Sequence, residues 1–356
     1  MDYGWLSLLP PMVAVVMAIR SRNVILSLFC GGFVGTMIFC MGNPFLAVKS
    51  MIGDYFFVQL TDSYNAGVIV LVIFIGGFIK LMEKSGGAQA FSRFVYRFVN
   101  TKLKAQMCAW AGGILIFFSD LGTPLLVGPV FRPLFDKLKI SREKLAWILD
   151  STSSPVAILV PFIGWGVYIM GLIQAEFQNL GVTQSDYTTF VEAIPFQIYA
   201  ILAIIMIPLV AFTGKDFSQM GKAEKLAEKG AQSWEEEKEA EEETDGTYSV
   251  KNARPSMAHA FGISYAIAVG AVLSGGLFGD HCSPISDTTI LSSTGAQCDL
   301  VGHVKTQLPY AVVNGVIAFA AYLFAGLTGS PAAVALAVAA LVLVIFVWNK
   351  KEKDRA

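Results

Sequence analysis

The stretch FGDHCSPISDTTILSS, residues 278–293, ends a long apolar run and crowds Asp280, His281, Cys282, Pro284, Asp287 and several hydroxyls together. An ionised carboxylate there is expensive only if its surroundings are lipid. Composition answers that question. Hydrophobic residues make up 54% of the 356-residue chain and charged residues 15%, where a soluble domain carries roughly a quarter charged. The charge also falls in blocks: residues 105–131 hold only Asp120, and residues 145–175 hold only Asp150. Uncharged runs near 20 residues match a hydrocarbon layer of roughly 30 Å. The chain reads as an all-α, polytopic integral membrane protein.

The same numbers exclude several function classes. A net charge of −1 offers no basic surface for nucleic acid. Five cysteines, an odd number set mostly in apolar segments, do not make a disulfide framework. The N-terminus MDYGWLSLLPPMVAVVMAIRSRN has its positive charges after the apolar run and no small-residue cleavage site, so it reads as a retained first span.

Apolar spans fall at about 5–19, 24–40, 66–82, 146–173, 196–213, 259–278, 310–328 and 331–348. Arg20 and Arg22, the segment 80–104, the segment 132–144 and the tail NKKEKDRA are rich in Lys and Arg, whereas residues 41–65 and 174–195 hold only Lys49. The positive-inside rule then puts the N-terminus outside and the C-terminus in the cytoplasm. Lys104 and Arg132 both lie inside on this scheme. The apolar stretch between them is too long for one span with both ends on one side, and too short for two spans and a turn. A re-entrant hairpin over about 107–131 fits, turning at SDLGTP (119–124) with Asp120 at its tip. Residues 214–258, centred on SWEEEKEAEEETDG, read as an acidic cytoplasmic linker. The chain therefore divides into N-terminal helices (1–104), a first-half transport repeat (105–213), the linker, and a second-half region (259–356). Residues 45–60 read as an amphipathic piece without obvious chemistry.

LDSTSSPVAILVPF, residues 149–162, repeats the recipe of the opening stretch. Pro155 removes a donor and clashes with the preceding turn, so the helix 146–173 should unwind around Ser151–Ser154. Unwinding frees carbonyl oxygens next to Asp150, Ser151, Thr152 and Ser154. In the second half Asp280 and Ser283 precede Pro284, and Ser286, Asp287 and Thr288 follow it, in a broken helix over 279–296. Two proline-interrupted, aspartate-bearing segments, one per half, point to a transporter site at a repeat interface. Oxygen-rich clusters suit hard cations such as Na⁺ and not transition metals. A desolvated carboxylate also takes up a proton readily, so Na⁺ and H⁺ compete for one charge. Asp150 and Asp280 lead this ligand set, with Asp120 and Asp287 as further candidates and His281 as a candidate pH sensor.

Each reading has a plainer counterpart. An intramembrane Asp can serve backbone donors at a positively polarised helix N-terminus, and His281 can simply be satisfied by a neighbouring carboxylate. Cys282, Cys298, His281 and His303 lack zinc-type spacing. Asp280, His281 and Ser283 are the residue types of a hydrolytic triad, but consecutive helical residues point about 100° apart and no G-x-S-x-G elbow is present. The chain does not read as an enzyme. A channel uses similar groups, yet broken helices in both halves favour a carrier.

GDHCSPISDTTILSSTGAQCDLVGHVKTQLPYA (279–311) and GTPLLVGPVFRPLFDKLKISREKLAWILDSTSSPVAIL (122–159) closely resemble the NhaC-type sodium/proton antiporter family of the ion-transporter superfamily. The resemblance runs from the N-terminus to about residue 260 and resumes near Phe261. It implies a multi-pass bacterial cytoplasmic-membrane antiporter of inverted repeats, each with a re-entrant hairpin and a broken helix. Asp120, Asp150 and Asp280 fall in the matching motifs. The implied partners are Na⁺, H⁺, Li⁺, the bilayer and a second copy of the chain, with no cofactor. One departure stands out: after KNARPSMAHA the family carries further spans and a second hairpin, and here the chain passes directly into FGISYAIAVGAVLSGG. The second repeat is therefore incomplete. Either a partner subunit supplies what is absent or the chain is an internally deleted, non-transporting form. Sodium-coupled exchange of an organic anion or amino acid is the other activity the resemblance admits.

Overall fold

A computed structural model describes residues 4–21, 24–61, 99–230 and 264–353, with isolated positions between 70 and 85. The span expected at 66–82 and most of the acidic stretch lie outside the described residues. Among those residues every regular element is helical. The N-terminal elements are α1 (Leu9–Ser21), α2 (Val24–Phe39), α3 (Pro44–Ser50) and α4 (Phe57–Thr61). α1 and α2 pack as an antiparallel pair. The chain then turns by 115° into the piece beginning at Pro44, where the Asn43 side chain accepts from the Phe45 and Leu46 amides and caps α3.

The rest of the fold surrounds two interrupted helices. Helices α5 (Lys102–Leu115) and α6 (Gly122–Lys137) are joined by residues 116–121, so the turn falls earlier than the expected 119–124 and Gly122 to Pro124 belong to α6. Then follow α7 (Arg142–Ser151), the single-turn α8 (Ser154–Ala157), α9 (Gly164–Leu180), α10 (Asp186–Ala193) and α11 (Ile198–Thr213). The expected broken helix over 146–173 is thus three pieces. Its first piece starts at a Ser141 side-chain cap and stops at Thr152–Ser153. Pro155 lacks the N–H that would bond the Ser151 carbonyl, and its ring crowds that carbonyl, which favours a break there. Pro208 does the same inside α11, freeing the Ile204 carbonyl, and the Trp110 indole of α5 donates to that carbonyl at 3.0 Å.

After α11 comes α12 (Ser218–Glu228), within the segment read as an acidic linker. Met220, Ala223, Glu224 and Ala227 are buried on one of its faces. Glu224 accepts from both the amide and the hydroxyl of Ser141, at 2.8 and 2.7 Å. The second half comprises α13 (Tyr265–His281), α14 (Asp287–Ala296), α15 (Leu300–Thr328) and α16 (Ala332–Lys353). α13 ends, and α14 begins, around Pro284.

By length and apolar composition α15 is long enough to cross a membrane, and two bent pairs qualify as broken spans: Ile25–Phe39 with Pro44–Phe56, and Asp186–Phe196 with Ile198–Thr213. α15 corrects the expected span 310–328 by starting ten residues earlier, because the Asp299 side chain caps it at the Gly302 amide. Pro309 lies within it without ending it.

Close packing joins the two halves. α6 and α14 cross at glycine: a Cβ on Gly128 would lie 2.7 Å from the Gly295 carbonyl carbon, and one on Gly295 would overlap the Pro124 carbonyl oxygen. Small residues let helix backbones approach where packing, rather than water, holds them together. Arg142, at the start of α7, forms a bidentate pair with Asp136 at 3.0 Å and donates to the Gln297 carbonyl at 3.2 Å. The hairpin therefore lies against both interrupted helices.

Candidate ion-binding site

α7 and α13 converge at their C-terminal ends. Asp150 is the penultimate residue of α7 and Asp280 the penultimate residue of α13. Together with His281 they bring one ligand atom each within 4.8 Å of one another. A helix C-terminus carries about half a negative charge. Two such ends and two carboxylates gather negative potential at one point, and the N-terminus of α14 offsets part of it. The first turn of α14 faces them and contributes hydroxyls.

The two carboxylates are held differently. Asp280 accepts from the Ser286 hydroxyl at Oδ1 and from the Thr288 hydroxyl at Oδ2, the latter at 3.0 Å. Asp150 is fully buried. Its Oδ2 accepts from Thr289 Oγ1 at 2.9 Å and from Gln307 Nε2 at 2.7 Å, and His303 Nε2 lies 3.4 Å away. Its Oδ1 is buried without a hydrogen-bond partner. Thr289 Oγ1 also lies 3.3 Å from the Asp280 carbonyl oxygen, so one threonine touches both aspartate residues. His281 shares a hydrogen bond with the Tyr199 hydroxyl through Nδ1 at 3.1 Å, and its Nε2 has no partner.

The other expected ligands take other places. Thr152 Oγ1 donates to the Ile148 carbonyl at 2.7 Å, a helix back-bond. Ser151 is buried at the end of α7 and Ser154 opens α8. Ser283 Oγ accepts from the Ile285 amide at 3.2 Å, inside the break. Asp287 is exposed and accepts from the Thr288 amide at 2.9 Å. Asp120 accepts from the Leu121 amide at 2.9 Å and from the Trp165 indole. Among the described residues the carboxylates thus draw their side-chain hydroxyls from Ser286, Thr288 and Thr289, not from the serines and threonine of 151–154. Gln307 and His303 are missed by sequence reasoning. They sit four residues apart, on one face of α15, and that spacing was the available signal.

The sequence profile of the Na⁺/H⁺ antiporter family matches residues 5–164, 156–252 and 252–327. The chain belongs to this family. The family is one of antiporters, so this member is an integral membrane protein. An uncharacterised protein of Haemophilus influenzae is 24% identical in an alignment of 502 residues covering 97% of this chain and 95% of the relative. That alignment is longer than the 356-residue chain, so the relative has residues where this family member has none, in keeping with the expected internal shortfall. Shorter matches run to the Na⁺/H⁺ antiporter NhaC of Alkalihalophilus pseudofirmus, 40% identical over 83 residues (23% of this chain, 18% of the relative). They also run to the arginine/ornithine antiporter ArcD of Halobacterium salinarum, 44% over 66 residues (18% and 14%). No solved structure matches.

Proposed function

We propose that this antiporter exchanges Na⁺ for H⁺ across a bacterial cytoplasmic membrane, with the N-terminus outside and the C-terminus and the segment 214–258 in the cytoplasm. The observation that carries this reading is the meeting of Asp150, Asp280 and His281 within 4.8 Å at two converging helix C-termini. Oxygen donors at negative helix ends suit a hard monovalent cation. Removing the cation leaves buried carboxylates that must be neutralised some other way, because an isolated buried charge is too costly to persist. Proton uptake does this. Alternating exposure of such a site to the two sides, never leaving it bare, converts competition into exchange. α7 belongs to one half of the chain and α13 to the other, so relative motion of the halves would open and close the site.

Everted membrane vesicles test the proposal directly. Added Na⁺ or Li⁺ should release protons from wild-type vesicles, and Asp150→Asn or Asp280→Asn should each reduce the rate at least tenfold. Undiminished exchange in both variants would remove these residues from the site. A second reading, exchange of organic ions, draws on the similarity to the arginine/ornithine antiporter and to a malate-2H⁺/Na⁺-lactate antiporter of Bacillus subtilis, 36% identical over 74 residues. It predicts proton or sodium flux only when arginine, malate or lactate is supplied.

A further inference from the structure

We infer that Gln307 is a specificity-determining residue of this site, its side-chain carbonyl oxygen Oε1 serving with Asp150 Oδ1 as a direct oxygen donor to the bound alkali cation. The inference rests on the exchanger reading for the identity of its ligand, and on the orientation of one amide for its geometry. Gln307 is fully buried. Its Nε2 donates to Asp150 Oδ2 at 2.7 Å and to the His281 carbonyl oxygen at 3.0 Å. An amide nitrogen has two protons and both are used here. The nitrogen and oxygen of a carboxamide are interchangeable in shape, so the hydrogen-bond partners must decide between them. Both partners are acceptors. The reversed amide would set an oxygen against a carboxylate and a carbonyl, which is repulsive, so the orientation is fixed by chemistry.

With the nitrogen committed, Oε1 is the remaining polar atom, and it is buried without a hydrogen-bond partner. Asp150 Oδ1 is in the same condition. A buried acceptor left unmatched costs about 1–3 kcal/mol. Here two occur on side chains already hydrogen-bonded to each other, and one of the two bears a charge. Two unmatched acceptor oxygens, on side chains joined by one hydrogen bond, suit a ligand that offers positive charge and no lone pairs. A small alkali cation has that character. The Asp280 carboxylate, by contrast, has a hydroxyl on each oxygen. Gln307 also ties α15 to the C-terminal ends of both α7 and α13, so the position of its oxygen is set by both halves at once. Ligands held at a fixed separation discriminate between ions of different radius.

The test uses the full-length chain purified in detergent, with thermal unfolding followed by tryptophan fluorescence in NaCl or LiCl against KCl and choline chloride. Wild type should show a sodium-specific rise in Tm, since a ligand that binds only the folded state stabilises it by mass action. Gln307→Met, similar in size but lacking both the amide donor and the carbonyl oxygen, should raise the half-saturating Na⁺ concentration at least tenfold. Gln307→Asn keeps an amide one carbon shorter and should change the Na⁺/Li⁺ preference at least threefold. Variants that lower Tm equally in every salt, with unchanged half-saturation and unchanged Na⁺/Li⁺ preference, would show Gln307 to be structural and overturn the inference. So would a wild type with no sodium-specific shift. A sodium shift that depends on Gln307, in a protein that moves no protons in vesicles, would sink the exchanger reading and leave the ligand assignment standing.

Discussion

Asp150 illustrates how one residue's role depends on which of its atoms are occupied. Its Oδ2 is served by Thr289 and Gln307, while Oδ1 has no partner. The hydroxyls near it in sequence do not help. Thr152 is turned back onto its own helix at the Ile148 carbonyl, and Ser153 does likewise at the Asp150 carbonyl. Thr289→Val should therefore destabilise the protein by about 1.5–3 kcal/mol, the range for hydrogen bonds to charged groups, and should alter the half-saturating Na⁺ concentration. Thr152→Val, equally isosteric and equally buried, should cost less than about 1 kcal/mol and leave cation affinity unchanged, because its bond is a local back-bond. Thermal melts with and without Na⁺ compare the two. Equal effects would mean that the carboxylate is not organised from α14.

At the scale of elements, the site depends on how closely helices can approach. The α6–α14 crossing has glycine on both sides, and a methyl group on Gly128 would sit 2.7 Å from the Gly295 carbonyl carbon. α14 cannot retreat without withdrawing Thr288 from Asp280 and Thr289 from Asp150. Gly128→Ala should accordingly cost about 1–3 kcal/mol of stability, as overpacking does, and should lower transport at saturating Na⁺. Purification yield and Tm report the first effect and vesicle assays the second. Gly112 is the internal control: a Cβ there would meet only the Val127 and Phe131 side chains, at 3.5 Å or more. Gly112→Ala should be tolerated. The broken helices follow the same logic, since proline stops α7 where its C-terminal dipole can point at α13.

Across the whole molecule, the segment 216–228 ties the base of α7 to α15. Lys144 of α7 pairs with Asp216, Tyr310 of α15 donates to Asp216 at 2.8 Å, and Ser141 donates twice to Glu224. Burial raises the Glu224 carboxyl above its ordinary value of 4.5; Lys144 lowers it and Asp216 raises it further. A carboxyl whose folded-state value exceeds its unfolded value binds its proton more tightly in the folded protein. Its contribution to stability is complete below 4.5 and is lost as pH rises through the folded value. Wild type should therefore lose stability over that rise. Glu224→Gln keeps an acceptor for Ser141 without the charge, so its Tm should fall less over the same pH interval. Melts of both proteins across that interval, at constant Na⁺, measure the difference. Parallel curves would place the pH response elsewhere.

Composition and motif were enough to establish the membrane environment, the helical class, the family, and the two proline-marked breaks with Asp150 and Asp280 beside them. These are properties of composition and of local backbone chemistry. A shortage of charge cannot build a water-facing shell, and proline removes one helix hydrogen bond wherever it falls, although α6, α11 and α15 run through theirs. The hydroxyls on Asp280 come from Ser286 and Thr288 in its own segment, but which groups meet Asp150 was not legible in this way. Ser151, Thr152 and Ser154 are close to Asp150 along the chain, but helical geometry turns at least the Thr152 hydroxyl back onto its own turn. Thr289 and Gln307 lie 139 and 157 residues away and reach Asp150 through the crossing of α14 and α15 over α7. That partnership exists only once the helices are packed, because a hydrogen bond depends on distance in space, and sequence separation bounds that distance only for neighbours.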